Sequence, residues 1–227
     1  MIERIHVIGS GRVGSAVAAR LSERGVAVRA GRTVEGDPQL VLLCVPDAAI
    51  ASVARAVAPG PLVAHVSGAT PLAALDPHVR RFSMHPLQTF TRSRGPEQLD
   101  GAWAAITAES DETRAAGRWL AETLGLHPFE LADAERTLYH AGAVFVSNYL
   151  VTLQRAAALL FESAGAPPEA LVPLMQRTIE NDFELTGPIS RGDWATVEAH
   201  RAAIRAAHPE LEQLYESLAG GTLALAT

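Results

Sequence analysis

Residues 5–14, read as I-H-V-I-G-S-G-R-V-G, constrain what this chain can fold into more than any other stretch. An apolar run (Ile5, Val7, Ile8) leads into Gly9-x-Gly11-x-x-Gly14, after which Val13, Val17 and Leu21 recur at the spacing of one helix face. Strand, glycine turn and helix in that order form the signature of a dinucleotide-binding turn. Gly9 is expected to make the tight turn, Gly11 to let the backbone approach a pyrophosphate, and Gly14 to let helix and strand pack closely. The phosphates would meet the free N–H groups at the helix start, where the macrodipole favours negative charge.

Composition narrows the function. The 227 residues, 48% of them hydrophobic, suffice for one large domain or two small ones. A net charge of -6 argues against a nucleic-acid binder. No secretory segment is expected, because the first strand begins within four residues of Met1. No apolar run is expected to approach the roughly 18 residues of a membrane span, so no membrane partner is expected. The single cysteine, Cys44, excludes an internal disulfide and fits a reducing cytoplasm. The eight histidines are too scattered for a metal motif, and no metal is expected. All 19 basic residues are arginine. Without lysine, Schiff-base chemistry and a lysine general acid are both excluded.

Past the first helix, residues 26–30 read as a second strand, with Gly31-Arg32-Thr33 at its tip. Arg32 there suits the 2′-phosphate of NADP, whereas an acid would hold the ribose of NAD. Glu35 and Asp37 are the competing acids, but both lie beyond the strand end. Residues 40–45 form a continuous apolar run, as in a parallel strand covered on both faces. Cys44 within it reads as inert, and Asp47 as the N-cap of the following helix. Further strands are expected at 61–66, 81–84, 103–107 and 126–131, with a helix around Trp119, Leu120 and Leu124. The alternation predicts an α/β fold, a doubly wound parallel sheet.

From about residue 133 the strand pattern ends. Residues 133–164 predict one long helix, stopped by Gly165 and Pro167-Pro168. Shorter helices follow over 169–183, 194–207 and 210–219. The expected division is a nucleotide-binding domain over 1–130 and an all-α domain over 131–227. About 50 Å of helix is too long for one small domain to cover. Its surplus apolar surface predicts a homodimer through the C-terminal helices.

Four patches then carry a resemblance: Val45-Pro46-Asp47, His65-x-Ser67-Gly68, residues 85–90 (H-P-L-Q-T-F), and residues 185–193 (L-T-G-P-I-S-R-G-D). Tyr139-His140 and Ser147-Asn148-Tyr149 fit it too. The chain resembles bacterial Rossmann-like NADP oxidoreductases with a C-terminal domain of unassigned function, within the superfamily of pyrroline-carboxylate reductases, 6-phosphogluconate dehydrogenases and ketopantoate reductases. The resemblance implies a Rossmann-type sheet followed by the all-α domain, and NADP as cofactor. It is shorter than such relatives after the second strand, where a helix is reduced to a loop. Many dehydrogenases of the superfamily carry Lys-x-x-x-Asn on the long helix. Asn148 is present here, but Val144 stands four residues before it and His140 is the nearest titratable group.

The expected cofactor site comprises Gly9, Ser10, Gly11, Arg12, Val13, Gly14, Arg32, Thr33, Val45 and Pro46. The catalytic candidates are His140, Asn148 and His85. His140 is either the proton donor or a hydrogen-bonded core histidine, and Asn148 either a substrate clamp or a helix-packing amide. His85 is expected just past a strand end, on the edge where open α/β sheets bind ligands. On a regular helix His140 and Ser147 return to one line and Asn148 lies about 80° around, which would turn all three toward one pocket. Ser67, Ser147, Arg191 and Asp193 complete the candidate substrate contacts, Arg191 as a fork for a carboxylate. The blander alternatives are turn closure for His65 and Ser67, a solvated charge for Arg191 and a helix N-cap for Asp193.

These residues point to a hydride transfer from NADP to a small carbonyl or imine. By resemblance alone the substrate could be a 2-oxo acid such as ketopantoate, or a deazaflavin could exchange hydride with NADP. The rival reading is a non-catalytic NADP-binding sensor.

Overall fold

The computed structural model describes residues 2–225, which form two compact units divided between Phe145 and Val146. In the first unit, seven strands make one sheet: β1 (Arg4–Ile8), β2 (Ala27–Ala30), β3 (Leu40–Leu43), β4 (Leu62–His65), β5 (Arg81–Leu87), β6 (Trp103–Ala108) and β7 (His127–Glu130). Their spatial order is β2-β1-β3-β4-β5-β6-β7. The crossover from β1 to β2 is the helix α1 (Arg12–Glu23), while residues 31–39 return from β2 to β3 with no helix. Helix α2 (Asp47–Ala56) joins β3 to β4, and α3 (Asp111–Thr123) joins β6 to β7.

The first five strands are mutually parallel, but β6 runs antiparallel to β5 and β7 follows β6. The sheet is therefore mostly parallel rather than wholly so. Between β5 and β6 there is only a 3₁₀ turn, Pro96–Leu99, and no α-helix to carry the chain back to the opposite edge.

One sheet face is apolar. Ile5, Val7, Leu40, Leu42, Leu62, Ala64, Phe82, Met84, Ala104 and Ile106 bury against Val17 and Leu21 of α1 and Ala116 and Leu120 of α3. Each Leu, Val or Phe so buried contributes roughly 1.5–3 kcal/mol. Gly117 lets α3 lie close, because a Cβ there would come 2.7 Å from Ile106 Cγ2. Ser110 and Thr113 cap α3 reciprocally. The opposite face is mixed. Ile8, Val41, Leu43 and Val63 pack with Ile50 and Ala54 of α2, but His65, Ser83 and Thr107 are buried there as well.

Three local expectations change. Pro46 occupies the N-cap of α2, and Asp47 is its first residue, with its carboxylate turned to Ser67. Strand β5 runs to Leu87, so His85 lies inside a strand, paired with Ala105, rather than beyond its end. The long helix is not uniform: a 3₁₀ turn Asp133–Glu135 opens it, α4 (Arg136–Val144) follows, then a π turn Phe145–Tyr149, then α5 (Leu150–Ser163). A π turn changes the residues per turn, so 3.6-residue spacing cannot relate His140 to Ser147 and Asn148.

The second unit contains α5, α6 (Leu171–Glu180), α7 (Trp194–Ala207) and α8 (Glu212–Leu225). Helix α6 stops early: Asp182 and Phe183 have φ of 55° and 59°, so residues 181–183 leave the helix. Among the described residues only Leu171, Val197 and Ile204 are buried in this unit. The helical run Asp133–Ser163 is long and apolar enough to cross a membrane, with mean hydropathy 1.4 over its best 18-residue window and none of that window buried. This corrects the expectation that no apolar run reaches the length of a span: Ser147 and Asn148 break the run of apolar letters but barely lower its average.

Candidate active site

The glycine turn has the geometry that a dinucleotide needs. Gly9 has φ +119°, and a Cβ there would fall 2.2 Å from the Cys44 carbonyl oxygen. A Cβ on Gly14 would fall 2.0 Å from the Gly9 carbonyl oxygen, whereas one on Gly11 would meet nothing within 4 Å. The turn is thus closed toward the sheet and open at Gly11. Gly11 is the N-cap of α1, with no side-chain cap and no acid in the first turn, so the first N–H groups face outward without a protein anion. Beside the turn, Ser10, Gly11, Arg12 and Ser15 line a cleft of about 400 Å³ with Arg92 and Arg94. At the tip of β2 a hollow of about 450 Å³ is lined by His6, Arg29, Gly31, Arg32, Thr33 and Glu35. Glu35 lies 3.9 Å from Arg29, so the acid that competes for a ribose is drawn to a neighbouring cation. These residues fit NADP: open N–H groups for a pyrophosphate and two arginines at the ribose end.

Val45 and Pro46 follow β3 at the same sheet edge. Cys44 before them is inert, since burial pushes its thiol up to about 12.

Farther along this edge the chain builds a polar cluster entirely within the first unit. At the end of β4, His65 is fully buried, and its Nδ1 accepts from the Ser67 N–H at 3.2 Å. The Ser67 hydroxyl donates to Asp47 Oδ2 at 2.8 Å and accepts from the Thr70 N–H at 3.0 Å. It is also within 2.9 Å of the Thr70 hydroxyl. Ser67 is thereby committed to shaping the turn. That turn presents Gly68 to two imidazoles: a Cβ there would lie 2.6 Å from His140 Cδ2 and 2.9 Å from His85 Nε2. His85 and His140 face each other with ring centroids 6.1 Å apart. The structure therefore brings together two of the three catalytic candidates.

Arg136 is the residue that sequence reasoning missed. It is 1% exposed, and its guanidinium donates to Thr107 Oγ1 at 2.9 Å and to the Ser67 carbonyl oxygen. Asp133 lies 3.9 Å from its Nε and accepts from the Leu72 N–H at 3.0 Å. The i,i+3 spacing of Asp133 and Arg136 was the available signal, but such pairs usually decorate solvated helices.

Burial and this cation fix the protonation of the cluster. Desolvation, then the Arg136 charge, lowers His65 to about 3. Desolvation, then His140 and Arg136, lowers His85 to about 4. Both imidazoles are neutral at pH 7. Burial pushes the Tyr139 phenol up to about 12, and it sits 2.8 Å from His85 Nδ1.

The remaining candidates belong to the second unit. Ser147 donates to Asn148 Oδ1 at 3.2 Å, and both are exposed or partly so. Asp193 caps α7, accepting from the Thr196 N–H at 3.2 Å and its hydroxyl at 2.7 Å, bonds that hold its carboxyl below the usual range. Arg191 stands in the turn before it.

A family profile described as a domain of unknown function, DUF2520, matches residues 102–222, more than half of the chain. The chain belongs to the DUF2520 family. No curated protein matches significantly. Among solved structures, a candidate NADP oxidoreductase from Bacteroides fragilis superposes with TM-score 0.83 at 22% identity over 98% of each chain. A reductive aminase from Aspergillus terreus, in complex with NADPH and ethyl-5-oxohexanoate, reaches 0.70 at 17% identity, covering 99% of this chain and 94% of its own. Pyrroline carboxylate reductase from Plasmodium falciparum, with NADP bound, reaches 0.62 at 11% identity over 100% of both. These likenesses establish a Rossmann-like α/β fold with a helical C-terminal region for this member of the DUF2520 family.

Proposed function

We propose that this DUF2520 protein is an NADP-dependent reductase of a small carbonyl or imine compound. The observation that carries the reading is the pair of imidazoles meeting over Gly68 at the sheet edge that also bears the glycine turn. Residues 1–130 hold the cofactor: Gly9 to Gly14 take the pyrophosphate, Arg32 and Thr33 the 2′-phosphate, and Val45 and Pro46 border the nicotinamide side. The NADPH and NADP in the reductive aminase and pyrroline carboxylate reductase support this choice. When bound, the cofactor supplies the hydride.

The protein supplies the proton and the orientation. His85, neutral at pH 7, offers an N–H but no proton, and orients the reacting oxygen. His140 is the remaining imidazole of the pair and protonates the developing alkoxide. Ser67 and Arg136 hold the Gly68 turn that separates them. Asn148, Ser147, Arg191 and Asp193 carry no part of this argument.

The second unit, from Val146 on, serves assembly. Val146, Tyr149, Leu150 and Val151 on the helical run are exposed, and we assign their cover to a second copy of this chain rather than to a membrane. Ser147, Asn148, Thr152, Gln154 and Arg155 on the same run favour a protein partner over lipid. The single, inert cysteine supports a reducing compartment.

The test is purified protein with NADPH and a panel of 2-oxo acids and cyclic imines, followed at the reduced-nicotinamide absorbance. Turnover with any member supports the reductase. Tight NADPH binding with no turnover would instead support the non-catalytic sensor, a reading favoured by the absence of lysine.

A further inference from the structure

The His85 side chain makes one hydrogen bond among the described residues, between its Nδ1 and the Tyr139 phenol oxygen at 2.8 Å. The rings meet edge to face, with centroids 5.6 Å apart and planes at 86°. Which group donates decides what His85 can do. A neutral imidazole nitrogen is a better acceptor than a phenol oxygen, and the phenol has no other acceptor for its proton among the described residues. If His85 donated from Nδ1, that partly buried phenol proton would lose its protein partner, which is unfavourable. The phenol therefore donates, Nδ1 accepts, and the ring proton sits on Nε2. Nε2 is the nitrogen against Gly68, on the side shared with His140.

We propose that Tyr139 is a positioning residue that locks His85 in its Nε2–H tautomer, so that His85 presents a fixed hydrogen-bond donor to a ligand oxygen beside Gly68. Phe129 holds the phenol ring in turn, edge to face at 5.9 Å. Arg136, His140, Asp47 and His65 are the charged or titratable groups around His85, and Tyr139 is the one that touches its Nδ1. A neutral donor polarises a carbonyl without giving up its proton, which leaves proton delivery to the second imidazole. The tautomer stands on the geometry alone; only the identity of the oxygen rests on the proposed reductase.

Nitrogen-15 labelled full-length protein tests this through the long-range proton–nitrogen correlations of its histidine rings at neutral pH. Wild type is expected to show His85 as the pure Nε2–H tautomer, and Tyr139→Phe as a mixture of both tautomers with the other histidines unmoved. A wild-type His85 protonated on Nδ1 overturns the proposal, as does an unchanged pure tautomer in Tyr139→Phe. Should Tyr139→Phe not fold, the wild-type spectrum still decides the donor's direction. If a carbonyl substrate turns over, Tyr139→Phe should lower kcat about three- to tenfold, the worth of one neutral hydrogen bond, with NADPH affinity unchanged. Absence of any turnover would sink the reductase reading and leave the tautomer result standing.

Discussion

The two units of this chain solve opposite problems. Among the described residues the first buries 29 of 32 buried apolar residues, all four of β3 included, and on its mixed sheet face it also buries His65, Ser83, Thr107 and Arg136. The second buries three apolar side chains, Leu171, Val197 and Ile204, and leaves Val146, Leu150, Val172, Leu174, Ile179 and Phe183 open. A unit that spends polar groups in its interior has a use for them, since each must find a partner or cost stability. A unit that leaves large apolar residues outside has a surface still to be covered. The contrast fits the chemistry proposed for the first and the assembly proposed for the second.

The sharpest way to break that division is His140→Ala. Loss of a general acid should reduce turnover by roughly 10²–10⁴ while NADPH affinity and molecular mass stay as in wild type. If His140→Ala keeps full activity and His85→Ala abolishes it, the two roles are exchanged. Next in size, Arg32→Ala should weaken NADPH about ten- to a hundredfold, the worth of a charge-assisted bond, and hardly touch NADH. Equal affinity of the wild type for both cofactors, measured by calorimetry, would refute it.

Leu150→Arg in α5 probes the other side of the comparison. It should weaken self-association by about tenfold or more in light scattering at micromolar concentration, with cofactor affinity per protomer preserved. A wild type already monomeric at that concentration would contradict the assembly role.

The smallest effect concerns pH. His65 and His85 have folded values of about 3 and 4, below the 6.5 of the unfolded chain. Between those limits the unfolded state binds more protons, so stability is complete above pH 6.5 and falls as the pH drops toward 4. The slope should reach at most about 1.4 kcal/mol per pH unit for each histidine. Thermal melts between pH 7 and 5 should show it, and His85→Gln should flatten the slope. An equally steep slope in that variant would locate the titration elsewhere.

How far the sequence could be read follows from the physics of each element. The glycine turn was readable because its chemistry demands the same residue type at fixed offsets. The buried strands were readable because parallel strands covered on both faces are apolar throughout. Strand β5 runs three residues past the expected 81–84, with Pro86 accommodated next to antiparallel β6. The direction of β6 left no trace, since an apolar run looks alike in either direction. The π turn at residues 145–149 has no composition of its own. His6 carries no argument as a letter in the sequence, yet it is 2% exposed with neither ring nitrogen bonded, beneath the loop that replaces the missing helix. Arg136 was invisible because an arginine one turn from an aspartate reads as ordinary surface.

Arg136 has one more consequence. A lysine buried at that place could shed its proton and so become a switch, but a guanidinium remains charged even though burial lowers its affinity for the proton. Its charge therefore works like a bias voltage wired into the sheet. Across the range in which cells live, the part of the electrical setting of His65 and His85 that comes from Arg136 is constant.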